Sequence, residues 1–110
     1  MAAAADAAFG PFDAIVGPTI PITPSKMSDV ATPESHLVAN TRYVQNTVTV
    51  SLLHQCAVTI PVGLDAASMP VGMQIVCRNS SDETAVGVAL ACERVLGTPR
   101  ARLGKPPMGV

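Results

Sequence analysis

Apolar residues recur at helical spacing between residues 82 and 96. The face that they form consists of Ala85, Val88, Ala89, Cys92 and Leu96. Because successive intervals of three and four residues place side chains on one side of an α-helix, this pattern predicts a helix over 82–96. Ser80 stands three residues before Glu83, which is typical of a capping box. Gly97 and Pro99 follow as a C-terminal stop signal.

Three short apolar runs predict β-strands. They cover residues 12–16, 57–62 and 71–77, and all are rich in β-branched residues or bounded by glycine and proline. Residues 64–68 join the second run to the third, which predicts a hairpin. Both runs contain Pro-Val-Gly. Since proline has no backbone N–H to donate, the pairing of these strands is expected to be irregular.

The segment between residues 34 and 55 carries two conflicting patterns. The run Thr-Val-Thr-Val at 47–50 favours a strand. Apolar and small residues recur at helical spacing over the same segment, at Leu37, Val38, Thr41, Val44 and Val48. We predict helices over 34–40 and 46–55.

The remaining segments are poorer in regular patterns. Residues 1–9 are rich in alanine, the best helix former, and predict a helix that Gly10-Pro11 ends. Residues 18–35 contain four prolines and predict a long loop. Residues 98–110 predict a loose tail. All these elements fit one domain, because 110 residues provide for a single small core.

Composition and charge narrow the classes of partner. Apolar residues make up 48% of the chain but aromatic residues only 3%. We therefore expect a core of small side chains. Seven basic and eight acidic residues form no basic stripe, which predicts no binding to nucleic acid. No apolar stretch approaches the roughly 18 residues of a membrane span, and the start lacks a secretory signal. Three cysteines without CxxC spacing predict buried, reduced thiols and a cytoplasmic location.

Residues that could carry chemistry are scattered along the chain. His54 and Cys56 form a faint metal-binding pair, but two ligands do not make a zinc site. Ser25 and Lys26 are a combination that Ser/Lys catalysis could use, yet nothing in their proline-rich loop would desolvate the lysine and lower its pKa. The residues by themselves therefore predict no catalytic group, no metal and no cofactor.

Five segments, in order, resemble the C-terminal part of the amidase signature family. They are residues 13–19, 46–47, 56–63, 69–76 and the start of a helix at 82–83. In that family an Asp begins a strand that ends in Pro-Thr. An Ala-x-x-x-Pro-x-Gly strand and a Leu-Pro-x-Gly-x-Gln strand follow, before a final helix. The resemblance covers 12–97 and implies that 1–110 is a single, partial amidase domain.

The resemblance implies an α/β fold, namely a C-terminal fragment of an αβα sandwich with a mixed sheet of short strands and a covering C-terminal helix. It also implies hydrolysis of a small carboxamide to carboxylate and ammonia by a nucleophilic serine, a second serine with a cis peptide bond, and a lysine. The Gly/Ser-rich segment that carries this triad in the family has no counterpart here. We therefore expect a chain that is inactive alone. The alternative is a non-catalytic interaction module that docks on a partner amidase chain or on a second copy of itself.

The resemblance also places five residues near the substrate pocket. They are Pro18, Thr19, Asn46, Thr47 and Ser51. Ordinary hydrogen bonding in a turn and a helix is the alternative interpretation of these polar residues. Ser51 stands where the family commonly has Asn, and Val44 stands where the glutamine-using subunits of tRNA amidation tend to have an acidic residue. The departure at Val44 favours a general amidase over a glutamine-using one.

Overall fold

The computed structural model describes residues 1–105 and contains helices on both sides of a small sheet. The helices are α1 (Ala2–Ala8), α2 (Pro33–Leu52), α3 (Asp82–Leu96) and α4 (Pro99–Leu103). The strands are β1 (Ile15–Pro18), β2 (Cys56–Leu64) and β3 (Pro70–Cys77), and a 3-10 turn spans Met27–Val30. The predicted α/β class is confirmed.

The sheet has β3 in its centre, in the order β1-β3-β2. Both neighbours pair with β3 in the antiparallel sense, and the predicted hairpin of β2 and β3 is confirmed. The register shifts between Pro61 and Gly63, inside the first Pro-Val-Gly. The predicted mixed sheet is wrong for these three strands. β1 and β2 do run parallel to each other, but β3 separates them, so no parallel pair forms.

β1 begins later than the predicted strand at 12–16. Its four residues pair with residues 73–76 of β3, from Ile15 opposite Val76 to Pro18 opposite Met73. The pairing with β3 therefore decides where the strand lies, and the local apolar run does not. Pro18 is tolerated because β1 is at the edge of the described sheet, where a missing N–H costs no ladder hydrogen bond.

The core lies between α3 and the facing side of the sheet. Ile75 and Cys77 of β3 are buried against Ala85 and Ala89 of α3. Alanine at both helix positions lets the helix backbone come close to the strands, which suits a chain with few large apolar side chains. All three cysteines are free; Cys77 is buried, and the other two are half-buried beside this core.

α2 is one continuous helix of 20 residues, whereas the sequence predicted two shorter helices at 34–40 and 46–55. The helix starts at a capping box in which the Ser35 N–H donates to Thr32 Oγ1 at 3.2 Å. The threonines inside the helix donate their hydroxyls to backbone carbonyls of the preceding turn, as seen at Thr41, Thr47 and Thr49. This bonding lets β-branched threonine remain in a helix.

α3 has the predicted bounds, but its N-terminus is not built as predicted. Gly97 ends the helix with a φ of 82°. The N-cap is Ser81, which makes no side-chain cap hydrogen bond. Ser80 has a left-handed φ of 57° in the connection from β3, and its hydroxyl donates to Asn79 Oδ1 at 3.0 Å. The predicted capping box of Ser80 and Glu83 is therefore wrong.

The segment after α3 contains a short helix, α4, within the predicted loose tail of 98–110. Thr98 caps this helix by accepting from the Ala101 N–H at 3.3 Å. Arg102 donates from Nε to the Gly97 carbonyl at 3.2 Å and from Nη1 to the Val62 carbonyl at 2.7 Å, and Nη2 donates to Pro61. These bonds hold α4 against β2. Residues 106–110 of the tail lie outside the described residues.

The surface of the chain is larger than expected for its mass. It exposes 7708 Å², whereas a folded monomer of 11.3 kDa is expected to expose about 5,700 Å². The radius of gyration is 16.2 Å, against about 13 Å for a compact domain of this length. Within residues 1–105, no helix combines the length and apolar character needed to cross a membrane.

Candidate functional site

A cleft of about 440 Å³ lies between α2 and the sheet, on the face opposite to α3. We call it the α2 cleft. Its lining comes from β1, β3, α2 and their connections: Phe9, Ile15, Val16, Gly17, Pro18, Gln45, Asn46, Thr49, Val50, Gln55, Gln74 and Val76. None of these lining residues is charged. The polar part of the wall therefore consists of side-chain amides, one hydroxyl and backbone groups.

Two of the predicted pocket residues meet on the wall of the α2 cleft. Asn46 Nδ2, from α2, donates a hydrogen bond of 2.7 Å to the Pro18 carbonyl at the end of β1. The bond joins two segments that are 28 residues apart in sequence. It holds α2 beside β1, so it fixes the width of the cleft at this end.

Thr19 lies next to this contact but does not line the α2 cleft. Its N–H donates to the Gly72 carbonyl at 3.0 Å, and its hydroxyl donates to Thr59 Oγ1 at 3.2 Å. Thr19 thus reaches across β3 to β2. A Cβ at Gly72 would stand 3.0 Å from both the Thr19 hydroxyl oxygen and Thr59 Cγ2, so the absence of a side chain there permits the crossing.

The other two predicted pocket residues line a second, adjoining cleft of about 330 Å³. The lining of this second cleft is Thr47, Val50, Ser51, Gln55, Ala57, Thr59 and Gln74. The Thr47 hydroxyl donates to the Val44 carbonyl and the Ser51 hydroxyl to the Thr47 carbonyl, both at 3.2 Å. Both hydroxyl groups therefore donate their protons within α2. Their oxygens can still accept a hydrogen bond from a group in the second cleft.

Gln74 lies where the two clefts meet. It is the last residue of the Leu-Pro-x-Gly-x-Gln pattern in the amidase resemblance, but it was not among the predicted pocket residues. It is in the central strand, is only 5% exposed and lines both clefts. Gln55, at the start of β2, also lines both. A second signal for Gln74 is that it is a single amide within an otherwise apolar or glycine-containing strand, since the run 70–77 has no other polar side chain apart from its final cysteine.

The chain matches known amidases over most of its length. The family model Amidase covers residues 1–86. The chain belongs to the amidase family. The match includes β1, α2, β2 and β3, so every strand and helix that forms the two clefts is part of the amidase match.

Several curated proteins are similar to this chain. A 2-amino-5-chloromuconic acid deaminase of Comamonas testosteroni is 37% identical over 100 residues, which are 91% of this chain and 22% of that protein. A glutamyl-tRNA(Gln) amidotransferase subunit of Geobacter metallireducens is 30% identical over 79% of the chain and 17% of its own length. A fatty acid amide hydrolase of Medicago truncatula is 29% identical over 86% and 16%. The chain spans about a fifth of the length of these relatives.

The Ser25 and Lys26 pair is not arranged for catalysis. The Ser25 hydroxyl accepts from the Tyr43 hydroxyl at 2.9 Å, and the Ser25 N–H donates to the same phenol at 2.6 Å. These two bonds lower the pKa of Tyr43 below its usual range. Lys26 is exposed. The serine is therefore paired with a phenol and not with an amine that could serve as its base.

The faint metal-binding pair also remains isolated. His54 is exposed, and Cys56 packs beside the core. Between residues 1 and 105, no group of three or more His, Cys, Asp or Glu side chains is placed to hold a metal ion. The same part of the chain contains no cis peptide bond.

Proposed function

We propose that this chain is the C-terminal part of an amidase that hydrolyses a small carboxamide to a carboxylate and ammonia. In this proposal it supplies a wall of the substrate cleft and does not supply the nucleophile. The observation that carries the proposal is the 2.7 Å hydrogen bond between Asn46 and Pro18 on the wall of the α2 cleft. Two of the segments that resemble the amidase signature meet there, beside a space of substrate size.

The proposal includes a lack of activity in the isolated chain. Amide hydrolysis needs an oriented nucleophile and donors for the developing oxyanion. Ser25 is the described serine adjacent to a lysine in sequence, and its hydroxyl is bonded to Tyr43. Lys26 is exposed, so nothing desolvates its ammonium. We therefore assign the nucleophile and the base to polypeptide outside this sequence.

A chimera tests this function. The 110-residue chain replaces the segment that it matches in the Comamonas testosteroni deaminase, and ammonia release is measured on a panel of primary carboxamides and on the substrate of the parent protein. We expect turnover by the chimera and none by the isolated chain. The matched control is Ser25→Ala in the chimera, which should leave turnover unchanged. Ammonia release by the isolated chain, or a folded chimera without turnover, would contradict the proposal.

A second candidate function is a docking module without catalysis, and the large surface favours it. The exposed area exceeds the expectation for a monomer by about 2,000 Å², which is more than the roughly 800 Å² that one partner contributes to a standard protein interface. Ile15 and Val16 of the edge strand β1 are 50% and 57% exposed. We propose the missing part of an amidase, or a second copy, as partner. Stable co-purification with the remainder of the parent deaminase, but without turnover, would favour this function over the first.

The location that we propose is the cytoplasm. All three cysteines are free thiols, and Cys56 is directly opposite Cys77 across the β2 and β3 pair. Cysteines so placed remain reduced most readily in a reducing compartment.

A further inference from the structure

The carboxamide of Gln74 has no hydrogen-bond partner among residues 1–105, although the residue is only 5% exposed. Within the same residues, no side-chain nitrogen or oxygen that is fully sealed from solvent lacks a partner. The amide atoms of Gln74 must therefore reach accessible space. The spaces that Gln74 lines are the α2 cleft and the second cleft, so its amide is directed into them.

The neighbours of Gln74 leave room for a ligand. Gly17 is directly opposite on β1, and a Cβ there would meet nothing within 4 Å. Thr59 is opposite on β2 and uses its hydroxyl oxygen to accept from Thr19. Because the Gln74 amide atoms open into the clefts, water or a ligand in the clefts can complete their hydrogen bonds.

We propose that Gln74 binds a neutral carboxamide group of the ligand that occupies these clefts. Its Nε2 donates to the ligand carbonyl and its Oε1 accepts from the ligand amide N–H, which gives two hydrogen bonds between matched groups. The inference rests on the proposed function for the identity of this ligand as a substrate. Gln74 is then the residue that selects the substrate class.

The walls of the clefts offer no cation to the ionised product of amide hydrolysis. Neither lining contains a charged side chain, so a carboxylate would lose its hydration without gaining a cation. A carboxylate also offers no donor to Gln74 Oε1, and its second oxygen would be repelled there. The same residue that binds a neutral amide therefore releases the corresponding acid.

The test uses the 110-residue chain with 15N-labelled side-chain amides, with benzamide and benzoate as a matched pair of probes. We expect benzamide to shift the Gln74 amide resonances, and benzoate to leave them unchanged at neutral pH. Gln74→Met should weaken benzamide binding by about thirtyfold, the value for two lost hydrogen bonds of ordinary strength. Gln74→Glu keeps the shape but loses the donor, and should weaken binding similarly.

The control is Asn40→Met, which also removes a side-chain amide, at an exposed position of α2 that lines neither cleft. It should change the benzamide affinity less than twofold, and a dispersed amide spectrum shows that each variant is folded. Absence of benzamide binding, equal binding of benzoate, or unchanged affinity in folded Gln74→Met or Gln74→Glu would overturn the inference.

The inference and the proposed function fail separately. Selective benzamide binding through Gln74, combined with an inactive chimera, would overturn the function and leave the binding site. An active chimera whose KM is unchanged by Gln74→Met would overturn the role of Gln74 and leave the function.

Discussion

Gly72 lies where the segment after β1 crosses β3 and reaches β2. The Thr19 N–H bonds to its carbonyl, and Thr59 packs beside it. Gly72→Ala would place a methyl group 3.0 Å from atoms of both threonines. We expect a loss of about 1–3 kcal/mol in the free energy of unfolding, as for other overpacked sites, measured by urea denaturation.

The control for this substitution is Gly17→Ala in β1. A Cβ at Gly17 meets nothing within 4 Å, so we expect a change within about 0.5 kcal/mol. Equal stability of the two alanine variants would mean that the close crossing of Thr19 over β3 is not present in solution.

Cys77 should be the least reactive of the three cysteines. Burial raises the pKa of its thiol, the neighbouring Cys56 and Asp13 raise this pKa further, and Arg78 opposes them. Because the thiolate is the reactive form, we expect iodoacetamide at pH 8 to modify Cys77 more slowly than Cys56 or Cys92. Mass spectrometry of the folded chain measures the three rates.

The same reaction in denaturant provides the control, because unfolding removes the burial that distinguishes the thiols. The three rates should then converge. A folded chain in which Cys77 reacts as fast as Cys92 would show that the core between α3 and the sheet opens readily.

At the scale of elements, α4 depends on one side chain for its position against β2. The guanidinium of Arg102 donates to the carbonyls of Pro61, Val62 and Gly97. Pro61 and Val62 lie at the register shift of β2, where carbonyls are free to accept from outside the ladder. We expect Arg102→Ala to lower the free energy of unfolding by about 1–2 kcal/mol, measured by urea denaturation.

Arg102→Lys distinguishes geometry from charge. A lysine ammonium keeps the charge but cannot direct donors to three carbonyls in the fixed plane of a guanidinium. We therefore expect lysine to recover less than half of the lost stability. If Arg102→Lys has the full stability of the unchanged chain, the positive charge holds α4 in place and the planar arrangement of the guanidinium N–H groups does not.

At the scale of the whole molecule, the exposed edge of the sheet should promote association. β1 has a partner on one side in the described sheet, and Ile15 and Val16 are about half exposed. Edges of this kind pair readily with other chains unless a charge blocks them. We expect the mean mass in sedimentation equilibrium to rise with concentration, and Val16→Lys to reduce that rise.

Met27→Lys is the matched control for association. Met27 is 84% exposed on the 3-10 turn, away from the sheet edge, so adding a charge there changes net charge without blocking β1. It should leave association unchanged. If both lysine variants reduce association equally, net charge is responsible and the β1 edge is not the contact surface.

The sequence by itself determined the elements whose signals are local. The apolar face of α3 and its stop at Gly97 gave correct bounds, because helix periodicity and C-capping act within a few residues. The hairpin of β2 and β3 followed from two apolar runs separated by a short connection. The order of the motifs was enough to indicate the amidase family, which the match over residues 1–86 confirms.

Only the tertiary structure decided the features that depend on distant residues. The position of β1 follows from its pairing with β3, about 60 residues later in the chain. The continuity of α2 and the anchoring of α4 depend on hydrogen bonds that periodicity does not reveal. Gln74 became a candidate only when β3 was seen in the sheet centre with α2 above it. The burial of Gln74 and the lack of a protein hydrogen-bond partner for its amide depend on how the strands and helices pack. They therefore cannot be predicted from the local sequence.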